Sequence, residues 1–137
     1  MTIPLDTNII IRHLAGDHPQ HSPRARALFQ DLYSGARAAM LTEAVLVETV
    51  QVLSSKSLYN LPRADIERHL GTIVRFRGVK LAQKRRYLRA LELYAATPRL
   101  SFVDALLAVL AQENPPPTVL SFDQGFDGIS GLTRVEP

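Results

Sequence analysis

The fold is decided by IPLDTNII, residues 3–10, in which a short apolar run leads through Asp6 into a second apolar run. We interpret residues 3–5 as a strand, and an acid followed by Thr7 and Asn8 is typical of the turn that starts a helix. Further strands are predicted at residues 39–41, 79–81, 119–122 and 132–135. Strands that alternate with helical segments predict an α/β fold, with a short, mostly parallel sheet flanked by helices in an α/β/α arrangement.

The helical segments carry start and stop signals of their own. Ser22 is the predicted cap of a helix that would bury Ala27, Leu28 and Leu32, and Thr42 is the predicted cap of the next one. The predicted helices run from Asn8 to about Leu14, from Ser22 with Pro23 at the first position to Gly35, from Thr42 to Leu53, from Pro62 to Val74, from Ala82 to about Ala96 and from Ser101 to Asn114. No linker is long enough to divide domains, so residues 1–137 are expected to form a single domain.

Composition excludes several kinds of site. The 137 residues contain no cysteine, which excludes disulfides, thiolate zinc sites and cysteine nucleophiles and suits a reducing cytoplasm. No apolar run approaches the roughly 20 residues of a membrane span, and Asp6 interrupts the only apolar stretch near the N-terminus, so neither a span nor a signal peptide is expected. The four histidines form no cluster in the sequence, and no glycine-rich phosphate loop is present.

Positive charge is concentrated in one part of the chain. The net charge is only +3, but eight of the 16 basic residues fall between Arg68 and Leu91, where there is no acid. Such a block favours polyanions, above all nucleic acid. The alternative is a solvated helix face whose arginine stems cover apolar surface. Within this block Arg85, Arg86 and Arg89 share one side of the predicted helix from Ala82.

Four carboxylates lie at or within apolar segments: Asp6, Glu48, Asp104 and Asp123. An ionised carboxylate in apolar surroundings is costly unless a positive group pairs with it. Asp6 and Asp123 each follow a predicted strand, and functional sites of such sheets gather beyond the carboxyl ends of the strands. Four such acids suggest a shared divalent cation, and a cation held by carboxylates suggests phosphoryl chemistry.

Each of the four acids also has a purely structural interpretation. Asp6 can cap the following helix, and Asp104 stands in capping-box spacing from Ser101. Glu48 has Val45 and Val52 as helical neighbours, which places it on a largely apolar side, where the alternative is a buried pair with an arginine.

The last acid has a structural alternative and a competitor. Asp123 can belong to an Asp-x-Gly turn, with Ser121 as a supporting hydrogen-bond partner. Asp127 is a second acid in the same loop but lies farther from the end of the strand. We favour Asp123 over Asp127 for this reason.

Four segments carry a resemblance that spans essentially the whole chain: Leu5–Ile10, Leu46–Leu53, Phe102–Ala108 and Val119–Phe126. In this order they resemble the acidic motifs of the PIN-domain nucleases, and within them the VapC-like toxins of bacterial toxin–antitoxin pairs. One departure is Pro4, because proline cannot donate to a sheet ladder and the first strand of this family is central.

The resemblance implies a metal-dependent endoribonuclease that uses Mg²⁺ or Mn²⁺. The family's acidic quartet would map onto Asp6, Glu48, Asp104 and Asp123, with Asp6, Asp104 and Asp123 as metal ligands. Thr7, Asn8 and Ser121 would support the site, and Arg85, Arg86 and Arg89 would contact the substrate. The implied partners are an RNA substrate, a cognate antitoxin and a second copy of the chain.

Two other functions compete with this one. A phosphatase with an aspartyl nucleophile usually needs a second aspartate two residues after the first, and here that position is Asn8. A non-catalytic RNA- or protein-binding module would retain the acidic residues without turnover.

Overall fold

The computed structural model describes residues 2–137, which form six α-helices and five β-strands. The strands are β1 (Ile3–Pro4), β2 (Ala39–Met40), β3 (Val79–Lys80), β4 (Thr118–Leu120) and β5 (Thr133–Val135). The helices are α1 (Thr7–Ala15), α2 (His21–Ser34), α3 (Glu43–Ser54), α4 (Arg63–Val74), α5 (Lys84–Ala96) and α6 (Phe102–Glu113). All strand pairs are parallel, so the predicted α/β class is confirmed.

The chain divides into two compact units, residues 1–84 and residues 85–137. The first unit contains a three-stranded sheet in the order β1-β2-β3, and the second contains a two-stranded sheet of β4 and β5. The expectation of one domain over residues 1–137 stays a prediction.

Pro4 is accommodated because β1 is an outer strand of the first sheet. Ile3 and Pro4 pair with Ala39 and Met40, and the N–H of Leu5 donates to the Met40 carbonyl over 2.7 Å. Because successive N–H groups of a strand point to opposite sides, the missing N–H of Pro4 lies on the side away from β2. The ladder between β1 and β2 therefore loses no hydrogen bond.

The third helix begins where the sequence predicts. The Thr42 hydroxyl accepts a hydrogen bond from the N–H of Val45 over 3.2 Å, which satisfies one of the unpaired donors of the first turn. The buried side of α3 consists of Leu46, Thr49, Val50 and Leu53. In the first unit α1 contacts α2 and α3, and α3 contacts α4.

The second helix differs from its prediction at its start. It begins at His21, and the predicted cap Ser22 lies inside it, where its hydroxyl accepts from the N–H of His18 over 3.1 Å. The capping role passes to His18, whose Nδ1 accepts from the N–H of His21 (2.9 Å) and of Gln20 (3.3 Å). An imidazole acceptor is absent from the usual list of capping side chains, which is why the pattern pointed to Ser22.

The apolar face of α2 also differs from its prediction. Ala27 is exposed and Leu28 is half-buried, while Leu32 is buried as expected. The buried positions are Ser22, Ala25, Phe29 and Leu32. Their spacing of three and four residues is that of one helix face, and Phe29 anchors it.

Gly78, just before β3, marks a close approach of two backbone segments. Its N–H donates to the Leu32 carbonyl over 2.7 Å, and its own carbonyl accepts from the N–H of Ala39 over 2.9 Å. A Cβ at this position would overlap the Arg37 carbonyl and lie 2.9 Å from backbone atoms of Leu32. The absence of a side chain is therefore what lets residue 78 pass against the end of α2.

The second unit has a core of its own. Leu100, Ala108, Val119, Phe126 and Ile129 form a buried apolar cluster. Helix α6 contacts β4, to which residues 114–117 connect it, and β4 pairs with β5 from Thr118 opposite Thr133 to Leu120 opposite Val135. Among residues 2–137 no helix has the length and apolarity that crossing a bilayer requires.

Candidate functional site

Asp6 lies directly beyond β1 and is the residue before α1. Its backbone has the extended conformation of a helix cap, but its side chain forms no capping hydrogen bond. The side chain is exposed, whereas Thr7 is only 4 % exposed. The carboxylate of Asp6 is thus held at the helix start while remaining available to an outside partner.

Glu48 is exposed, and its predicted position on a largely apolar side is wrong. The flanking Val45 and Val52 are themselves only half-buried, and the buried side of α3 lies on the opposite face. Among residues 2–137 Glu48 forms no ion pair, so the alternative of a buried pair with an arginine also fails.

The first unit brings these two acids to the same end of its sheet. Because β1 and β2 are parallel, their carboxyl ends meet at one edge. Asp6 follows β1 at that edge, and α3, with Glu48 in its second turn, starts three residues after β2. This edge is where an open parallel sheet places its functional groups.

Asp104 is half-buried in the first turn of α6. Its N–H donates to the Ser101 hydroxyl over 3.1 Å, which is one half of the capping box. The other half is not formed, because the Asp104 carboxylate makes no hydrogen bond or ion pair within the described part of the chain. Capping therefore uses the backbone of Asp104 and leaves its side chain free.

Asp123 begins the turn after β4. Its Oδ1 accepts from the N–H of Gly125 over 2.8 Å, and its own N–H donates to the Ser121 hydroxyl over 2.9 Å. The turn alternative is thus realised by one carboxylate oxygen, and the second oxygen is not used in this turn. Ser121 hydrogen-bonds to the backbone of Asp123, not to its carboxylate.

Two arginines that the sequence did not single out hold the loop after Asp123. Arg134 donates to both carboxylate oxygens of Asp127, at 2.9 and 3.3 Å, and to the Ser121 carbonyl at 3.1 Å. Arg99 donates to the carbonyls of Gly125 (2.8 Å) and Asp127 (2.9 Å). The hydrogen bonds of Arg134 lower the pKa of Asp127, so this competitor of Asp123 is already neutralised by the protein.

The second unit also directs its two acids to one end. A short connection joins the end of α6 to the start of β4, and the two elements contact each other. The N-terminal turn of α6, with Asp104, consequently lies toward the carboxyl end of β4, which is followed by Asp123. Each unit thus carries two of the four predicted acids at one end.

None of the four acids is buried. Asp6, Glu48 and Asp123 are exposed and Asp104 is half-buried, so water solvates groups that the sequence placed in apolar surroundings. Asp6, Asp104 and Asp123 lie at the ends of elements, and Glu48 lies on the face of α3 opposite its buried side. The desolvation cost that suggested a shared cation is therefore small.

The donor set suits a hard divalent cation, although residues 2–137 do not form a group of three or more His, Asp or Glu side chains able to hold a metal. Carboxylate oxygens are the ligands that Mg²⁺ and Mn²⁺ prefer. The side chains of Asp6, Glu48 and Asp104 have no protein partner among these residues, and Asp123 has an oxygen to spare. The fit thus rests on donor chemistry and not on an assembled cluster.

The three predicted substrate arginines on α5 have different surroundings. Arg86 is committed to Glu113, with its Nη2 2.7 Å and its Nε 2.9 Å from the same carboxylate oxygen. Arg89 donates to the Gln112 side chain over 2.7 Å. Arg85 is exposed and, of these three arginines, is the one without a partner among residues 2–137.

The sequence also missed a cavity of about 580 Å³ between α1 and α2. Its lining consists of Asn8, Ile9 and Arg12 from α1, His21, Arg24, Ala25 and Leu28 from α2, and Arg37. The helical spacing of residues 8 and 12 and of residues 21, 24, 25 and 28 was visible in the sequence. Of these positions, residues 8 and 12 were predicted to lie in the first helix, His21 in a loop and Leu28 on an apolar face, and none was predicted to line a cavity.

The model of the PIN domain family matches residues 3–132. The match crosses the boundary between the two units and contains all four predicted acids. No protein with a curated description matches the chain.

Proposed function

The chain belongs to the PIN domain family, and from this premise we propose that it is a metal-dependent endoribonuclease that cleaves RNA phosphodiester bonds. PIN domains are generally nucleases and act on nucleic acid. The observation that carries the proposal is the family match over residues 3–132, within which Asp6, Glu48 and Asp104 keep carboxylates without a protein partner among residues 2–137.

The proposed roles follow from donor chemistry and position. Asp6, Asp104 and Asp123 bind Mg²⁺ or Mn²⁺, and Glu48 binds and orients water. A bound divalent cation supplies a more acidic water and neutralises charge on the scissile phosphate. Thr7 and Asn8 position the start of α1, and the Ser121 hydroxyl fixes the backbone of Asp123 through its 2.9 Å hydrogen bond.

The proposed reaction is an in-line displacement at phosphorus. The water held by Glu48 loses one proton to solvent and forms the new bond to phosphorus, the bond between phosphorus and the 3′-oxygen breaks, and that oxygen takes up a proton from solvent. The products are a 5′-phosphate and a 3′-hydroxyl. Arg85 and Arg89 contact substrate phosphates, whereas Arg86 contributes to the stability of the unit through Glu113.

The biological setting is a further part of the proposal and rests on the resemblance to VapC-like toxins. In this setting the chain is a cytoplasmic toxin, forms a homodimer and is inhibited by a cognate antitoxin. Co-expression with the product of a small neighbouring gene tests this part: growth arrest by the chain alone, relieved by that product, is the expected result.

The catalytic proposal is tested with purified full-length protein and an RNA mixture. Mg²⁺ is expected to produce cleavage that EDTA abolishes, and the Asp6→Asn, Asp104→Asn double variant is expected to be inactive while remaining folded. Undiminished cleavage by the double variant would refute the assignment of the site.

One observation favours a non-catalytic RNA-binding module as the second candidate. Within residues 2–137, no three His, Asp or Glu side chains lie close enough together to form a metal-binding site. Calorimetric titration with Mn²⁺, followed by the nuclease assay, separates the two functions. RNA binding without cleavage at saturating metal would favour the module.

A further inference from the structure

The cavity between α1 and α2 has an unbalanced positive charge. Three arginines are among the residues that line it: Arg12, Arg24 and Arg37. Among residues 2–137, one carboxylate lies within ion-pair distance of these arginines: that of Asp17, 3.9 Å from Arg12. Both side chains of this pair are partly exposed. Such a contact contributes little, so the cavity keeps most of its charge.

Arg24 and Arg37 are exposed and form no side-chain hydrogen bond or ion pair within residues 2–137. Their donors are therefore available to a ligand. A guanidinium presents paired N–H donors whose geometry matches a phosphate group, and it is weakly hydrated compared with an ammonium. Three arginines without a lysine in the lining point to an oxyanion of this geometry.

The lining of the cavity also contains apolar side chains and a neutral polar group. Ile9, Ala25 and Leu28 supply apolar surface, and the Asn8 amide offers both a donor and an acceptor. A ligand that combines a phosphate with a partly apolar group fits this lining. A nucleotide within a single strand has this composition.

The position of the cavity connects it to Asp6. Asn8 lies two residues after Asp6 in the first turn of α1, and Arg12 lies one turn farther along the same helix. One turn advances about 5.4 Å along the helix axis. When a phosphate of an RNA strand lies at Asp6, the phosphate one or two nucleotides away can therefore reach the cavity.

We propose that the cavity between α1 and α2 is a subsite for one nucleotide of a single-stranded RNA, with its phosphate bound by Arg24 and Arg37. This inference rests on the proposed function for the identity of the polymer. It assigns to the first unit a substrate-binding role that the basic residues of α5 were expected to supply alone.

The test measures RNA binding without catalysis, so that its result is independent of the nuclease assay. Full-length protein in EDTA is titrated into a fluorescent single-stranded RNA of about 12 nucleotides, within the site sizes of such proteins. The Arg24→Gln, Arg37→Gln double variant is expected to bind about tenfold more weakly, as the loss of charged hydrogen bonds implies. The slope of log K against log salt should fall by about 0.7 for each phosphate contact that is lost.

Arg24→Gln and Arg37→Gln are also measured as single variants, and Arg26→Gln is the matched control for each of them. Arg26 lies on the same helix, is exposed and is outside the cavity lining, so the substitution removes the same charge. Binding within about twofold of wild type is expected for this control, because an exposed charge away from the contact contributes only a screened long-range effect. An equal loss from Arg26→Gln would show general electrostatic attraction and would overturn the subsite.

A substitution in the RNA completes the test. Neutral methylphosphonate linkages, introduced one at a time, should weaken wild-type binding at one position and cause no further loss in the double variant at that position. Additive losses at every position would overturn the proposal. So would unchanged RNA binding by the double variant together with lost binding of an acidic peptide, which would assign the cavity to a protein ligand.

A measurement on the unmodified protein covers the case in which the double variant fails to fold. Titration of ¹⁵N-labelled wild type with inorganic phosphate should shift the Asn8 amide and the Arg24 and Arg37 Nε signals together. Shifts elsewhere, with these three signals unmoved, would contradict the subsite.

Discussion

At the scale of single residues, Asp6 combines two properties that a catalytic carboxylate needs. Its backbone is fixed at the junction of β1 and α1, while its side chain is exposed and takes no part in capping. A carboxylate that already accepted a capping hydrogen bond would have one oxygen fewer for a metal. The structure thus separates the positioning of this residue from the use of its charge.

Asp6→Asn is expected to reduce RNA cleavage at least about a hundredfold, since even outer-shell changes at metal sites cost roughly 10–100-fold. Stability should change by less than about 0.5 kcal/mol, because the side chain is exposed and unpaired within residues 2–137. Initial rates and a urea titration measure the two quantities. Glu92→Gln, which removes an exposed acid on α5, is the charge-matched control and should leave both unchanged.

His18 makes the start of α2 sensitive to pH. Desolvation, His21 and Arg12 lower the pKa of the His18 imidazole, and its Nδ1 accepts two backbone hydrogen bonds that protonation would abolish. His13, stacked on Phe29 at 4.4 Å, also has a lowered pKa, first because of burial and then because of Arg26. In the interval below the ordinary pKa of about 6.5 the unfolded chain therefore binds more protons than the folded one.

We expect the urea midpoint to be constant above about pH 6.5 and to fall as the pH drops from there through the lowered pKa values. His18→Asn retains an acceptor near the position of Nδ1 but does not titrate, so it should flatten part of this dependence. The part due to His13 should remain. An identical pH dependence in wild type and His18→Asn would show that His18 does not contribute.

The exposure of Glu48 shows that the sequence of α3 alone does not predict which face of the helix is buried. Its valine neighbours indicated a buried side, but which face of α3 is buried depends on packing against α1 and α4. The buried face is instead that of Leu46, Val50 and Leu53. The position of Glu48 within a helix was therefore predictable from the sequence. The face of the helix on which it lies depends on packing against helices that are distant in sequence.

At the scale of elements, α3 depends on its first turn. The hydrogen bond from the N–H of Val45 to the Thr42 hydroxyl is expected to contribute about 1 kcal/mol, a typical value for a helix cap. Thr42→Ala should lower the free energy of unfolding by about this amount, whereas Thr42→Ser should retain most of it. Urea titrations of the three proteins measure the difference, and equal losses for alanine and serine would exclude the capping bond as the cause.

The loop after β4 depends on Arg134, whose side chain is only 14 % exposed. Arg134→Gln removes the bidentate contact with Asp127 and the contact with the Ser121 carbonyl. We expect a loss of activity of roughly 10–100-fold through misplacement of Asp123, the range found for groups that orient metal ligands. The loss should appear as weaker Mn²⁺ binding by calorimetry, which a change in global stability alone would not produce.

Asp127→Asn tests the same loop from the other partner. The amide that this substitution introduces can still accept one hydrogen bond from Arg134, so a smaller effect than that of Arg134→Gln is expected. A complete loss of activity from this substitution would instead make Asp127 a functional acid.

The start signals of the helices were predictable where capping used common residues. Thr42, Pro62 and Ser101 stand at the predicted starts, and Gly35 ends α2 in a left-handed conformation. The start of α2 differs from its prediction because His18 replaces the usual hydroxyl or carboxylate, and α5 begins at Lys84, two residues after the predicted Ala82. Sequence patterns identify caps of the common residue types, and histidine is not one of them.

At the scale of the whole molecule, the two units raise the question of cooperativity. The family match spans both of them, and on this basis we propose that the chain folds as a single domain. Phe126→Ala in the second core should cost about 3–5 kcal/mol. Native-state hydrogen exchange should then show reduced protection of the slowest amides in α3 as well as in α6. Reduced protection in α6 alone would indicate that the units unfold independently.

The order of the acids along the chain was sufficient to predict the family, and the α/β class followed from the alternation of elements. The cavity between α1 and α2 was not predictable, because it needs the register of two helices and the placement of Arg37 beyond them. Local sequence patterns predict each helix, but the shape of the space between two helices depends on how they pack against each other.

The tight passage of Gly78 has an evolutionary consequence. Any larger residue there would push against the Leu32–Arg37 backbone, and through it would displace one wall of the cavity. Among relatives, a change at position 78 should therefore be accompanied by an insertion or deletion in the segment that connects α2 to β2. Chimaeras that exchange the segment between α2 and β2 without exchanging residue 78 are expected not to fold.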